Sequence, residues 1–273
     1  MDEYGQAVDS IGRYTGLNRD SWNAIAPSRA TKQPEFFRQG GSTLDDFEID
    51  LLPDLDGKQM LHMACANGVD SVSWAMRGAS VTGVDLSEVA VESANALAEE
   101  LAVDAQFIAA DLYELPAGLP RFDVVYASWG VVCWLPDLDR WADIVVERLH
   151  PGGTFLLCEH HPLWEVLGVR PGGVAVTVDY FGRSRPTVQT YDQSKRPTGS
   201  TPATQFNAFV WPVSDVVTSL LRAGLHIEKF YEAPMPEMYE GLGPASVWLP
   251  GIYVIKAKAP SYETVSPLPY PVS

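Results

Sequence analysis

Between about position 55 and 160 the chain alternates short apolar runs with segments whose apolar residues recur at helical spacing. Met60 to Cys65, Ser80 to Val84, Ala105 to Ala110 and Phe122 to Ser128 are short, largely apolar and bounded by turn residues, as strands buried in a parallel sheet are. Ala90, Ala94, Leu97, Ala98 and Leu101 share one face of a helix that Ser87 is placed to cap. Leu138, Trp141, Val145 and Leu149 mark another helix, and His150-Pro151-Gly152-Gly153 stops it. A fifth strand then leads to Cys158. This alternation predicts right-handed crossovers, a parallel sheet, and ligands gathered at the carboxyl ends of its strands.

The flanking segments read differently. Arg19 to Ala30 is expected to be helical up to Pro27, with Asp20 or Ser21 as cap. Glu35 to Thr43, with Gly40-Gly41, reads as a mobile loop. Residues 162–210 break the alternation: Pro171-Gly172-Gly173, the β-prone run Val174 to Phe181, the polar stretch Arg183 to Thr204, and Gln205 to Trp211 suggest a small antiparallel flap. Pro212 to Gly224 reads as a helix, and His226 to Glu232 and Gly251 to Ala257 as a closing hairpin. Between those strands, Glu232 to Pro250 is a long loop of the kind that carries function. The expected division is a cap over 1–50, a core over 51–161, an insertion over 162–210, completion of the sheet over 211–260, and a proline-rich tail over 261–273.

A length of 273 residues with 46% hydrophobic content suits one α/β domain with additions. No apolar run reaches membrane-spanning length, and MDEYGQAVDS has no signal-peptide pattern. Cys65, Cys133 and Cys158 lie in apolar surroundings without metal-ligand spacing, which implies reduced core thiols and a cytoplasmic setting. The net charge of −16 repels phosphate backbones and no basic run offsets it, so nucleic acid is not an expected partner. A homodimer is compatible with everything above.

The stretch Lys58 to Ser87 carries the most chemistry. Ala64, Ala66 and Gly68 alternate in the turn after the first strand, where small side chains let backbone approach a ligand. Asp85 ends the second strand, where a carboxylate can accept from a ribose diol. The G-x-G-x-x-G of dinucleotide sites is absent, because Ala64, Ala66 and Val69 hold those positions. The stretch instead resembles motif I of the class I S-adenosylmethionine (SAM) methyltransferases, and the resemblance continues in order. Val84-Asp85-Leu86-Ser87 looks like the ribose-binding strand end, and Ala109-Ala110-Asp111-Leu112 the adenine-binding one. Phe122 to Ser128 looks like the fourth strand, and Leu149 to Phe155 the turn before the fifth.

The resemblance implies an α/β, Rossmann-like, mostly parallel seven-stranded sheet with helices on both faces, an N-terminal helical lid and a β-rich insertion after the fifth strand. It implies SAM as cofactor, with His62, Ala64, Cys65, Ala66, Asn67, Gly68, Asp85, Leu86, Asp111, Leu112 and Ser128 around it, and Tyr14 and Trp22 of the lid near its sulfonium. Two motif glycines are alanines here, and His62 replaces the usual acid, in a Leu-His-Met-x-Cys variant shared by a bacterial subset. The cofactor's ammonium is then left to backbone carbonyls, Asn67 or water. The plainer role for His62 is a strand-end histidine bonded to backbone. Asp123, at the start of its strand, lies away from the site.

Methyl transfer needs alignment, exclusion of water and removal of a proton where the nucleophile carries one. The expected base is His161, oriented by Glu159, since alternate strand residues share a face; the resembled subset carries a Glu-x-His-Pro here too. Ordinary strand-end hydrogen bonding is the alternative. Neighbouring His160 and His161 would point apart, so no metal is expected. Trp129, Trp134, His160 and Trp164 are expected at the acceptor, with Trp211 and Trp248 in covering segments. The expected function is methyl transfer to a small molecule, aromatic or heteroaromatic in character, such as a natural product. SAM-dependent cyclisation or another non-methylating reaction, and SAM binding without catalysis, are the alternatives.

Overall fold

A computed structural model describes residues 3–29, 31–170, 173–190 and 204–261. The chain opens with helix α1 (Glu3–Ile25), followed by two short helices, α2 (Pro34–Arg38) and α3 (Asp46–Leu51). The alternating core then runs β1 (Gln59–Met63), α4 (Val69–Ala75), β2 (Ser80–Asp85), α5 (Glu88–Leu101), β3 (Ala105–Ala109), β4 (Phe122–Ser128), α6 (Leu138–Arg148) and β5 (Leu149–His160). A one-turn helix, α7 (Leu163–Val166), leads into two hairpins, β6 (Leu167–Arg170) with β7 (Gly173–Val176), and β8 (Arg183–Thr190) with β9 (Gln205–Val210). Helix α8 (Val213–Arg222) and strands β10 (His226–Ala233) and β11 (Ile252–Lys258) close the fold.

The seven-stranded sheet has the order β10-β11-β5-β4-β1-β2-β3, and only β11 runs antiparallel to its neighbours. The chain builds outward from β1 to β3 on one side and then crosses to β4 on the other. That reversal opens a crevice between the carboxyl ends of β1 and β4, where open α/β sheets bind ligands.

Strand parity fills both faces. Leu61, Val125, Phe155, Leu157 and Ile255 join Trp141, Val145, Val216 and Leu220 of α6 and α8 in one buried layer. Met60, Val124, Tyr126, Leu156 and Val254 join Leu51, Leu52 and Trp74 in the other. Ser87 caps α5 as expected, its hydroxyl accepting from the Ala90 N–H at 3.1 Å. Among the described residues, no helix is long and apolar enough to cross a membrane.

Several expectations are corrected. The first helix starts at Glu3 rather than near residue 20, and Ser21 is not its cap. Instead Ser21 donates to the Gln205 carbonyl at 2.6 Å, and the Asn18 amide binds both backbone groups of Asn207 at 3.0 and 2.9 Å. Packing on β9, remote in sequence, sustains the helix. Glu35 to Thr43 holds α2, with Phe37 fully buried against Val72 and Leu97, so it is a packed segment and not a loose loop. The insertion forms two separate hairpins rather than one flap. Residues 191–203 of its polar stretch, and 262–273 of the expected tail, lie outside the described residues.

Glu48 of α3 is fully buried and accepts from the Tyr126 hydroxyl and, at 2.9 Å, from the Asp45 N–H. Burial outweighs those bonds and pushes its pKa up to about 7. The folded state therefore holds a proton there that the unfolded chain releases near the ordinary carboxylate pKa. Stability from this group is present below that ordinary value and is lost as pH rises toward 7. Thermal melts between pH 5 and 8 should show a decline worth on the order of 3 kcal/mol at most. Glu48→Gln should remove that part of the slope.

Candidate active site

A cavity of about 520 Å³ lies at the carboxyl ends of β1, β2 and β4, under α1 and β9. Its floor begins at the turn after β1. Ala64, Ala66 and Gly68 adopt left-handed φ values of 55°, 49° and 74°, separated by single residues of ordinary conformation. The two alanines line the cavity with Cys65 and Asn67, whereas Gly68 does not. A Cβ on Gly68 would come within 2.7 Å of Ala94 and Phe107, so this glycine serves the packing of α4 on α5 and β3.

Asp85 fixes the turn. Its carboxylate accepts from the Ala66 N–H at 2.8 Å and from the Ser87 N–H at 2.9 Å. Burial raises its pKa, partly offset by these bonds and by the charge of Arg29. Asp111 lines the next strand end and accepts from the Tyr113 N–H at 2.9 Å. Leu86 and Leu112 complete this wall.

His62 is 2% exposed and bonds hydroxyls, not backbone: Nδ1 lies 2.8 Å from Ser71 Oγ and Nε2 lies 3.3 Å from Ser128 Oγ. Burial drives its pKa down to about 3, so the ring is neutral. Asp70 of α4, which the sequence reading passed over, also lines the cavity and is held by Thr43 and Ser128.

The expected Glu159–His161 pair does not form. Glu159 is buried and accepts four backbone N–H groups, from Gly130, Val131, Val132 and His160, at 2.6–2.8 Å. His161 lies beyond the end of β5, where strand alternation no longer governs direction. Its Nδ1 accepts from the Leu163 N–H at 3.2 Å, so Nε2 carries the proton and donates to Glu232 of β10 at 2.8 Å. Burial lowers the His161 pKa and Glu232 partly restores it. His160 also lines the cavity, its ring 5.5 Å from both Trp129 and Trp164. Among the described residues its ring nitrogens make no hydrogen bond.

Trp22 and Trp134 meet edge-to-face at 5.2 Å and both contact Phe206, closing the cavity beneath α1. Trp211 lines it as well. Tyr14 does not reach it, because that face of α1 packs on Phe209 of β9 at 5.5 Å. Trp248 is 79% exposed and lies away from it.

Residues 60–153 match a family model described as a methyltransferase domain. The ubiquinone biosynthesis O-methyltransferase of Coxiella burnetii is 31% identical over 153 residues, covering 56% of this chain and 62% of that protein. The chain thus spans less than two thirds of the length of that curated relative. A SAM-dependent methyltransferase structure from Mesorhizobium loti superposes with a TM-score of 0.58 at 23% identity, covering 77% of this chain and 94% of that one. The structure of the (4+2) cyclase SpnF superposes with a TM-score of 0.59 at 16% identity, covering 91% and 97%. Residues 60–153 are thus a methyltransferase domain, set in the fold of the class I SAM-dependent methyltransferases.

The residues present fit S-adenosylmethionine, on which the matched structure depends. Two strand-end carboxylates, Asp85 and Asp111, line one wall, and the half-buried carboxylate of Asp70 faces the same space with no cationic side chain paired to it among the described residues. A ligand with hydroxyls and an ammonium suits that donor set. The alanine variant of motif I keeps the left-handed turn but strains it, at about 1–2 kcal/mol per non-glycine residue. Ala64→Gly and Ala66→Gly should therefore leave stability unchanged or raise it by up to about 1 kcal/mol, where Ala→Gly ordinarily costs about that much. Denaturant unfolding of the single variants checks this; a loss of about 1 kcal/mol or more contradicts it.

Proposed function

We propose that this protein transfers a methyl group from SAM to a small, planar or hydrophobic acceptor, aromatic or heteroaromatic in character as natural products often are. The reading rests on one cavity that joins the carboxylates Asp85 and Asp111 to an aromatic wall of Trp129, Trp134, Trp164 and His160. When bound, SAM supplies a methyl group made electrophilic by its sulfonium. Asp85 accepts hydrogen bonds from the ribose hydroxyls through lone pairs left after Ala66 and Ser87, and Asp111 serves the adenine side. Trp22, Trp134 and Phe206 exclude water beneath α1. The acidic surface, −16 in net charge, disfavours a polyanionic acceptor.

His160 takes the role of acceptor-facing base in this reading, and His161 that of a positioning residue. Both ring nitrogens of His161 are engaged, and its bonds to Leu163 and Glu232 set the turn that presents Trp164. His160 stands in the aromatic wall with its nitrogens open to a proton from the acceptor.

Calorimetry should show binding of SAM and S-adenosylhomocysteine and none of NAD. Asp85→Ala should weaken both sulfur compounds tenfold or more, the loss of charge-assisted bonds worth roughly 1.5–3 kcal/mol each. Incubation with methyl-labelled SAM and candidate acceptors separates the alternatives. Label transfer supports the proposal, methylthioadenosine release points to a non-methylating reaction, and binding alone to a protein without catalysis.

With an acceptor in hand, His160→Ala should depress turnover by roughly 10²–10⁴ and leave S-adenosylhomocysteine affinity within about twofold. His161→Ala should act mainly by lowering the melting temperature. Equal losses of turnover in the two variants would remove the distinction.

A further inference from the structure

We infer that Asp70 is the receptor for the ammonium group of the cofactor's amino-acid portion, replacing the strand-end acid that this chain lacks at His62; this rests on the reading of the cavity as a SAM site.

The strand end offers no negative charge of its own. His62 is neutral and its two nitrogens are spent on the hydroxyls of Ser71 and Ser128. The same Ser128 hydroxyl lies 3.3 Å from Asp70 Oδ2, so the carboxylate sits one hydroxyl away from the position where the acid is missing. Asp70 reaches that place from the first turn of α4, seven residues beyond the end of β1. Its other oxygen accepts from Thr43 Oγ1 at 2.5 Å, and Thr43 is itself anchored by its N–H on Ser73 Oγ at 3.1 Å. The carboxylate is thus aimed and held before any ligand arrives.

What it lacks is a cation. Among the described residues no lysine, arginine or histidine forms an ion pair with Asp70, and the nearby charge that acts on it is the carboxylate of Asp45. Burial and that neighbour raise its pKa, against the bonds from Thr43 and Ser128. A half-buried carboxylate facing a cavity gains from a cationic ligand group, since part of its hydration is already lost. An ammonium presents three donors, and after Thr43 and Ser128 each carboxylate oxygen still has a free acceptor position. Asn67, which lines the same turn, offers no charge to compete for that role.

Three ligands separate this role from a merely structural one: S-adenosylhomocysteine, its deaminated analogue that keeps the carboxylate but has no ammonium, and methylthioadenosine, which lacks the amino-acid portion. Asp70→Asn should weaken S-adenosylhomocysteine roughly 10- to 100-fold in calorimetry, the range for a hydrogen bond to a charged group. Binding of the deaminated analogue and of methylthioadenosine should stay within about twofold of wild type. Thr43→Val keeps the charge but frees one oxygen, and should weaken S-adenosylhomocysteine a few-fold with the same selectivity.

Unchanged S-adenosylhomocysteine affinity in Asp70→Asn overturns the assignment, as does equal loss for all three ligands, which would mean a collapsed cavity. If Asp70→Asn does not fold, Thr43→Val alone decides by the same selectivity. Wild-type protein that binds none of the three compounds overturns the SAM-site reading as well.

Discussion

One buried carboxylate organises the acceptor side of this molecule. Glu159 at the end of β5 gathers the N–H groups of Gly130, Val131 and Val132 from the segment after β4, together with that of His160. Trp129 and Gly130 take left-handed φ values of 53° and 84° to bring those N–H groups round. For a tryptophan that conformation costs on the order of 1–3 kcal/mol, and the charge-assisted bonds to Glu159 are what sustain it. The segment between Trp129 and Trp134 and the backbone of His160 are tied to this single anchor. A residue that reads as an orienter of a catalytic histidine is instead the fastener of a loop.

The cofactor side works by the opposite means. There the backbone is bent by small residues, and Asp85 stitches the turn to the next helix through Ala66 and Ser87. Two halves of one cavity are thus each braced by an acid accepting from main-chain donors. Asp85 keeps acceptor capacity that faces the ligand, whereas the four bonds of Glu159 spend all of its own on the fold.

The core was legible in the sequence because its signals are local. Strands such as Met60 to Met63 and Val124 to Ser128 are largely apolar, Ser87 is a cap followed by a helical stripe, and the strand-end acids Asp85 and Asp111 sit where parallel strands end. What escaped was made by distance. Helix α1 carries Gly5, Gly12 and Gly16, which lower helix propensity, and its support comes from β9, 189 residues away at the Asn18 contact. The partner of His161 arrives from β10, 71 residues on. Asp70 looked like any acid in the first turn of a helix, a position that favours acids for reasons unrelated to ligands. Only the fold shows that its side chain faces a cavity.

The seam between α1 and the insertion has a property of its own. Asn18 binds both the N–H and the C=O of residue 207, and Ser21 binds the C=O of residue 205. A side-chain amide used in this way behaves like one more neighbouring strand, since it reads main chain and ignores what projects from it. Register at this joint is therefore set by main chain, while Phe206 and Phe209 of β9 supply its packing against Trp22 and Tyr14. Drift in the other side chains of β9 can reshape the roof over the acceptor while the joint stays intact. A scaffold so jointed can change the molecules it accepts without relearning how to close.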